Sequence, residues 1–409
     1  MTAPASLAAE RRGDGPSDQG SVTLEELFRD PYPAYARMRE AGVVWVEAIG
    51  RWMVTRWEDV GAVETARDDF SANETNSNLT RVIGPQMLRE DGAAHKRLRL
   101  AAQAPLRQSA IEDGGDEFQR IADRLVDGFR ERGSCDLVAD FALPFAGRCL
   151  AHVLGLPEAT PEDIARWSAA IMNGSSNYAD DPGVWAEAKE ATDQIDRAVD
   201  AALAGEGPGP GTIIAAMAGD EGAGRPLTAE EIRSNSKVMI GGGFNEPRDA
   251  VATAVMALLA HPDQLASALA DPSLWPRVVE ESVRWVAPIG VAPREVLRPI
   301  RLGDTDLEPG ARAMVNFAAA NRDERHWDRP DAFDIHRPKG RNVAFGVGHH
   351  FCLGVWMARH QVGAVALPTL FCGLPGLALD LDRPPVVRGW VFRGPTELWV
   401  RWDPDRSAA

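Results

Sequence analysis

Apolar positions along this chain recur mostly with a helical period. In Asp116–Gly133 (DEFQRIADRLVDGFRERG), Phe118, Ile121, Leu125, Val126 and Phe129 share one face, the spacing of a 3.6-residue turn. From Asp91 to about Gly205 one such segment follows another, and Glu206–Gly211 (EGPGPG) breaks the run. Asp30–Gly42 opens with turn residues and then shows helical spacing at Tyr35 and Met38. Leu227–Pro262 reads as one very long helix, entered through Thr228 with Glu231 three residues on, a capping box. Its middle, Ile240–Asp249 (IGGGFNEPRD), holds three glycines and a proline, which weaken a helix.

Elsewhere the pattern changes. Val43–Ile49 and Arg51–Trp57 are β-rich runs meeting at Gly50, a hairpin signal, and helix resumes after Trp57. Residues 71–90 are polar and Asn-rich and read as a long loop, a length that in compact domains tends to be functional. Asp271–Pro288 predicts another helix, Arg294–Phe317 short strands, and Ala320–Asn342 an irregular stretch. A helix is expected from Leu353 and a hairpin at the end. The sum is a mainly α fold with small β-sheets. We expect a flexible tail over residues 1–21 and a single domain over 22–409, since neither repeat nor linker interrupts the rest.

Composition narrows the function classes. Of 409 residues, 44% are hydrophobic and 25% charged, an ordinary globular balance. A net charge of −16 argues against nucleic acid as the main partner, so any basic patch is local. Cys135, Cys149, Cys352 and Cys372 form no CxxC pair, so reduced thiols and a cytoplasmic location are expected. The N-terminus lacks the apolar run of a signal peptide. The best membrane-span candidate, Val362–Leu381, is broken by Pro368 and Pro375 and reads better as a core helix, a loop and a strand start.

The candidate chemistry centres on Phe345–Gly354 (FGVGHHFCLG). A lone thiol is most often a buried packing residue. This one is flanked by Gly346, Gly348 and Gly354, which permit positive φ and close backbone approach. It also precedes an apolar helical run, and a helix N-terminus favours a thiolate. Metal ligation and a buried cysteine both remain open on this reasoning. The pattern Phe345-x-x-Gly348-x-His350-x-Cys352-x-Gly354, however, resembles the haem-binding signature of the cytochrome P450 family. Glu281-x-x-Arg284 is similar to the family's upstream ion pair, with Arg337 as its third partner, and the Asp30 segment is similar to the family's N-terminal opening. The resemblance covers about Asp30 to Trp402.

It implies the cytochrome P450 fold, a triangular helix-rich prism around a buried haem b, with Cys352 on the iron. Haem carries two carboxylates that need partners in an interior site. His95 and Arg99, one turn apart, match the family's propionate contacts, as do Arg294 and His350. Phe345, Gly346, Gly354 and Gly242 would complete the haem site. His349 has no role on this reading. In the long helix, the family's acid–alcohol pair for proton delivery is replaced by Asn245 and Glu246, followed by Pro247. An amide can orient water but supplies no proton. A carboxylate can relay one, and burial helps. We therefore expect Glu246 to deliver protons and Asn245 to hold water. A bland alternative is that Glu246 merely sits at the break made by Pro247.

The Asn-Glu-Pro variant and Arg388–Trp402 (RGWVFRGPTELWVRW) resemble a bacterial subset that O-dealkylates small ethers, notably methoxy-aromatics such as guaiacol. Phe392 there matches an aromatic that packs over the ring. The resemblance implies a monooxygenase using O₂ and electrons from NAD(P)H, acting on a small apolar substrate. The pocket would be lined by Val238, Gly242, Ile289, Val291 and Phe392, with a lid around Asn76–Arg81. Hydroxylation of a terpene, fatty acid or natural-product scaffold is the alternative, and a peroxide-driven mode or a haem sensor without turnover are further ones. No flavin or iron–sulfur module is visible. The donor is thus expected to be a separate ferredoxin or flavin–iron–sulfur reductase, docking on Lys96, Arg97, Arg107 and Arg359. A monomer that binds neither membrane nor nucleic acid is expected.

Overall fold

The computed structural model describes residues 22–405 apart from 178, 206, 220–223 and 339; the tail expected over 1–21 lies outside the described residues. The helices expected between Asp91 and Gly205 form. Gly115–Phe129 buries Phe118, Ile121, Val126 and Phe129 as its period predicts. Phe118, Phe141, Phe145, Ile164, Val255 and Leu370 belong to one large core shared by these helices and the C-terminal one.

The β-rich segments converge on one sheet. Its strand order is Val44–Val46, Arg51–Val54, Arg312–Asn316, Val291–Val296, Phe70–Ser71. The first pair is the expected hairpin, with Val44 opposite Met53 and Gly50 at φ +63° in its turn. Arg51–Val54 then runs parallel to Arg312–Asn316, and that strand antiparallel to Val291–Val296. A second core of Val54, Val60, Val296 and Val315 lies against this sheet. The C-terminal hairpin forms between Val387–Arg388 and Gly394–Pro395. Among the described residues, no helix is long and apolar enough to cross a membrane.

Two expectations change. The long helix is two helices, Ala229–Gly243 and Asn245–Ala260, with Phe244 between them at φ −109° and ψ −57°. Pro247 is the cause: it has no N–H to donate, and its ring crowds the carbonyl four residues back, at Gly243. Phe244 is fully buried and fixes the bend. The capping box of Thr228 and Glu231 forms as expected. The segment 71–90 is not all loop, because Asn78–Ile83 is helical, capped by the Ser77 side chain and anchored by buried Leu79 and Ile83.

Glu281 and Arg284 form a buried bidentate pair, both bonds 2.7 Å, on the helix Trp275–Trp285. Arg337 joins Glu281 at 3.3 Å. Arg284 also donates to the carbonyls of Asn321, Pro330 and Ala332. A buried pair holds only when its remaining donors are satisfied, and these bonds tie the irregular 320–342 stretch in place. That stretch leads into the loop bearing Cys352.

Candidate active site

A cavity of about 920 Å³ is bounded on one side by Phe345, Gly346, Cys352 and Gly354 and on the opposite side by Gly242, Gly243 and Glu246. The cysteine loop is built by backbone constraint. Gly346 and Gly348 adopt φ of +69° and +70°, a region that L side chains avoid. A Cβ on Gly348 would also collide with the Glu64 carbonyl. Gly354 is different, at φ −86°, with nothing near an added Cβ, so its place is set by the cavity and not by strain. The Cys352 N–H donates to the Phe345 carbonyl at 2.9 Å, closing the turn.

The expected thiolate does not follow from local structure. Burial pushes the Cys352 thiol up to about 11, although the Gly354 N–H donates to the sulfur and opposes the shift. The helix after it runs without a break from Val355 through a π-helical stretch, His360–Ala366, to Gly373, and its N-terminus favours the anion by less than burial disfavours it. A metal that takes the sulfur displaces its proton.

One edge of the cavity collects the predicted basic residues: His95, Arg99, Arg294 and His350 all line it. Arg99 donates to the Phe351 carbonyl at 2.7 Å. Arg294 pairs with Glu64 at 2.5 Å, both side chains buried. His95 is not a cation here, since burial, with help from His350 and Arg99, holds it down at about 4; it offers a hydrogen bond only. Glu64 was missed by sequence reasoning. The signal was present: it lies on the apolar stripe of Trp57–Thr65 with Val60 and Val63, where an acid needs a buried partner.

The opposite wall carries the departure. Both Glu246 oxygens are buried without a hydrogen-bond partner on another residue. Burial raises its carboxyl to about 8, only partly offset by its own backbone N–H, so it is mostly a neutral acid at pH 7. Asn245 behaves otherwise than expected. Its amide donates to Ser168 Oγ at 2.9 Å and does not line the cavity. The three glycines also separate. A Cβ on Gly241 would press on Met172 at 2.8 Å and one on Gly243 on Leu150 at 3.1 Å, whereas on Gly242 it meets only a Glu246 oxygen at 3.9 Å. Helix packing therefore explains two of them; all three line the cavity, and only at Gly242 would an added Cβ meet no neighbouring helix.

Val238, Ile289, Val291 and Phe392 also line this space, with Ile289 and Phe392 joined by an isolated β-bridge. Asn76 and Ser77, from the expected lid, form part of the wall, while Arg81 points out to Asp180. Polar groups that were not expected line it too: the buried pair Arg51–Glu74. The expected basic patch is weaker than its sequence. Arg97 pairs with Glu231 and Arg359 with Glu280, leaving Lys96 and Arg107 exposed.

The donor set fits a haem: a sulfur on one wall, a glycine facing it, and two guanidinium groups with two imidazoles at one edge for carboxylates. Comparison with known proteins agrees. The family profile "Cytochrome P450" matches residues 184–370. The cytochrome P450 monooxygenase PikC of Streptomyces venezuelae is 30% identical over 401 residues, covering 94% of either chain. This chain belongs to the cytochrome P450 family. The vitamin D(3) 25-hydroxylase of Pseudonocardia autotrophica is 28% identical, covering 96% of this P450 and 98% of its own length. The crystal structure of CalO2 superposes with a TM-score of 0.82 at 28% identity, covering 94% of this chain and 98% of that one. The fold is the cytochrome P450 fold, and the protein is a cytochrome P450 monooxygenase, a family whose haem is held by a cysteine thiolate.

Proposed function

We propose that this monooxygenase O-dealkylates a small apolar ether, with an aromatic methyl ether as the best case. The observation that carries this reading is the buried, unpartnered carboxyl of Glu246 at the Phe244–Pro247 break, on the wall facing Cys352. Support comes also from Phe392, which sits in the same cavity on the C-terminal stretch that resembles the ether-cleaving subset.

Cys352 would hold the haem iron, with Arg99, Arg294, His95 and His350 at the haem carboxylates, and the group would supply O₂ activation with two electrons from NAD(P)H delivered by a separate ferredoxin or flavin–iron–sulfur reductase. The rest falls to the chain. Val238, Ile289, Val291 and Phe392 hold an apolar ring by contact alone. Gly242 leaves room where a side chain would intrude. Glu246 holds a proton at its carboxyl at neutral pH and passes it into the cavity. The C–H beside the ether oxygen becomes C–OH, and the hemiacetal collapses to alcohol and aldehyde. The balance is one ether, one O₂, two electrons and two protons giving one alcohol or phenol, one aldehyde and one water. Asn245 acts through Ser168, setting the angle of the break and not holding water. Lys96 and Arg107 are the part of the expected basic patch free to meet an acidic donor.

The alternative is hydroxylation of a larger scaffold. It is favoured by the cavity's reach to Leu24, Phe28 and Leu88, which are exposed apolar side chains at its mouth. A relative named for acting on vitamin D(3) is in keeping with that reach. Titrating the ferric protein with methoxybenzenes, dialkyl ethers and terpenes separates the two readings. A low-to-high-spin shift with methoxybenzenes, followed by formaldehyde release on turnover, is expected. A shift with terpenes alone overturns the ether reading, and peroxide-driven turnover without NAD(P)H overturns the electron route.

A further inference from the structure

His349 has no part in the reading above, yet it is not an idle side chain. Its Nε2 lies 3.4 Å from Asp91 Oδ1, and the Nε2 of His350 lies 3.2 Å from the same oxygen. These three ligand atoms all fall within 4.8 Å of one another. The His349 separation is long for a hydrogen bond and that of His350 lies at the upper end of the usual range of about 2.7–3.2 Å. They match the edges of a tetrahedron around zinc, where bonds of about 2.0–2.1 Å put neighbouring ligand atoms about 3.3 Å apart.

We propose that Asp91, His349 and His350 form a binding site for a divalent first-row transition metal, with zinc the best fit. Two imidazoles and a carboxylate are borderline ligands that select such ions over calcium or magnesium. The supporting groups are in place. Ser71 Oγ donates to the other oxygen of Asp91, so the carboxylate is oriented from behind, as ligating carboxylates usually are. The loop carrying both histidines is fixed by the positive φ of Gly346 and Gly348. Entry is open: the Asp91 and His349 side chains are 33% and 21% exposed, while His350 is 6% exposed. Three protein ligands leave a fourth position for water or another carboxylate. His350 would use Nε2 for the cation, and its Nδ1 stays chemically available for a haem carboxylate. The site thus lies beside the haem edge but is separate from the Cys352 ligand.

The test uses untagged, haem-loaded protein stripped with EDTA and dialysed against ZnCl₂, with bound zinc counted by mass spectrometry and its ligands read by X-ray absorption. One zinc per chain on nitrogen and oxygen ligands is expected, with no binding of CaCl₂. His349→Ala is expected to weaken binding by about 100-fold or more, and Ser71→Ala, which only frees the carboxylate, by about 10-fold. Asp91→Asn gives an independent ligand variant if His349→Ala folds poorly, and the reduced carbonyl spectrum checks haem loading in each. Absence of stoichiometric zinc, or equal binding in wild type and both ligand variants, overturns the proposal. Neither result bears on the ether reading, which rests on the opposite wall.

Discussion

Two walls face each other across the cavity and obey different rules. The Cys352 loop is fixed by backbone geometry: two glycines at positive φ, one of them pressed against Glu64, and a turn closed by Phe345. The Phe244–Pro247 break is fixed by a missing hydrogen bond and holds a buried acid whose oxygens find no hydrogen-bond partner on another residue. The first wall tolerates little change at Gly346 and Gly348, where sterics and backbone conformation decide. The second can vary, because its constraint is a proton and not a shape. The difference suggests where family chemistry is kept and where an individual protein departs from it.

The largest effect separates the walls outright. Cys352→Ser is expected to abolish the red-shifted Soret band of the reduced carbonyl complex and all turnover, whereas Glu246→Ala keeps that band. Next, Glu246→Ala should lower product formed per electron consumed by about 10-fold or more. Unchanged coupling would leave the second wall with no chemical role and dissolve the contrast. Gly348→Ala should then destabilise the fold by about 2–3 kcal/mol, from collision and positive φ together, read as a fall in chemical-denaturation midpoint.

A pH series gives a smaller effect with a definite sign. The folded carboxyl of Glu246 titrates at about 8, above its ordinary value of 4.5, so the native state binds the extra proton. Its contribution to stability is fully present below about pH 4.5 and is lost as pH rises through 8. Coupling should fall over the upper part of that window, and Glu246→Gln should flatten the stability profile. The smallest change is Pro247→Ala. It restores a backbone donor but loses a buried ring, and a net change within about 1 kcal/mol is expected by thermal unfolding. A large stabilisation would mean that the break is held by Pro247 alone.

Some of this was legible from residue order because its causes are local. Helical period placed Gly115–Phe129, the capping box opened Ala229–Gly243, and Gly50 marked the hairpin. The Glu281–Arg284 pair follows from a three-residue spacing on one face. The loop pattern around Cys352 carried the haem reading, because its glycine spacing is itself a steric requirement. Other features depend on distant segments. Nothing near Asn245 announces Ser168, which lies 77 residues earlier. Arg97 looked free until Glu231, from another helix, met it. Glu64 showed its burial in the apolar stripe, but its partner Arg294 comes from a strand 230 positions later.

The sequence by itself determined most of the elements and the family, and pointed to Cys352 as the sulfur ligand, since these rest on spacing along one backbone. The tertiary structure alone decided which charges are paired, which cavity glycine is free of helix contacts, and which groups titrate away from their usual range. Those properties depend on desolvation and on partners contributed by remote segments, and both exist only once the chain has packed.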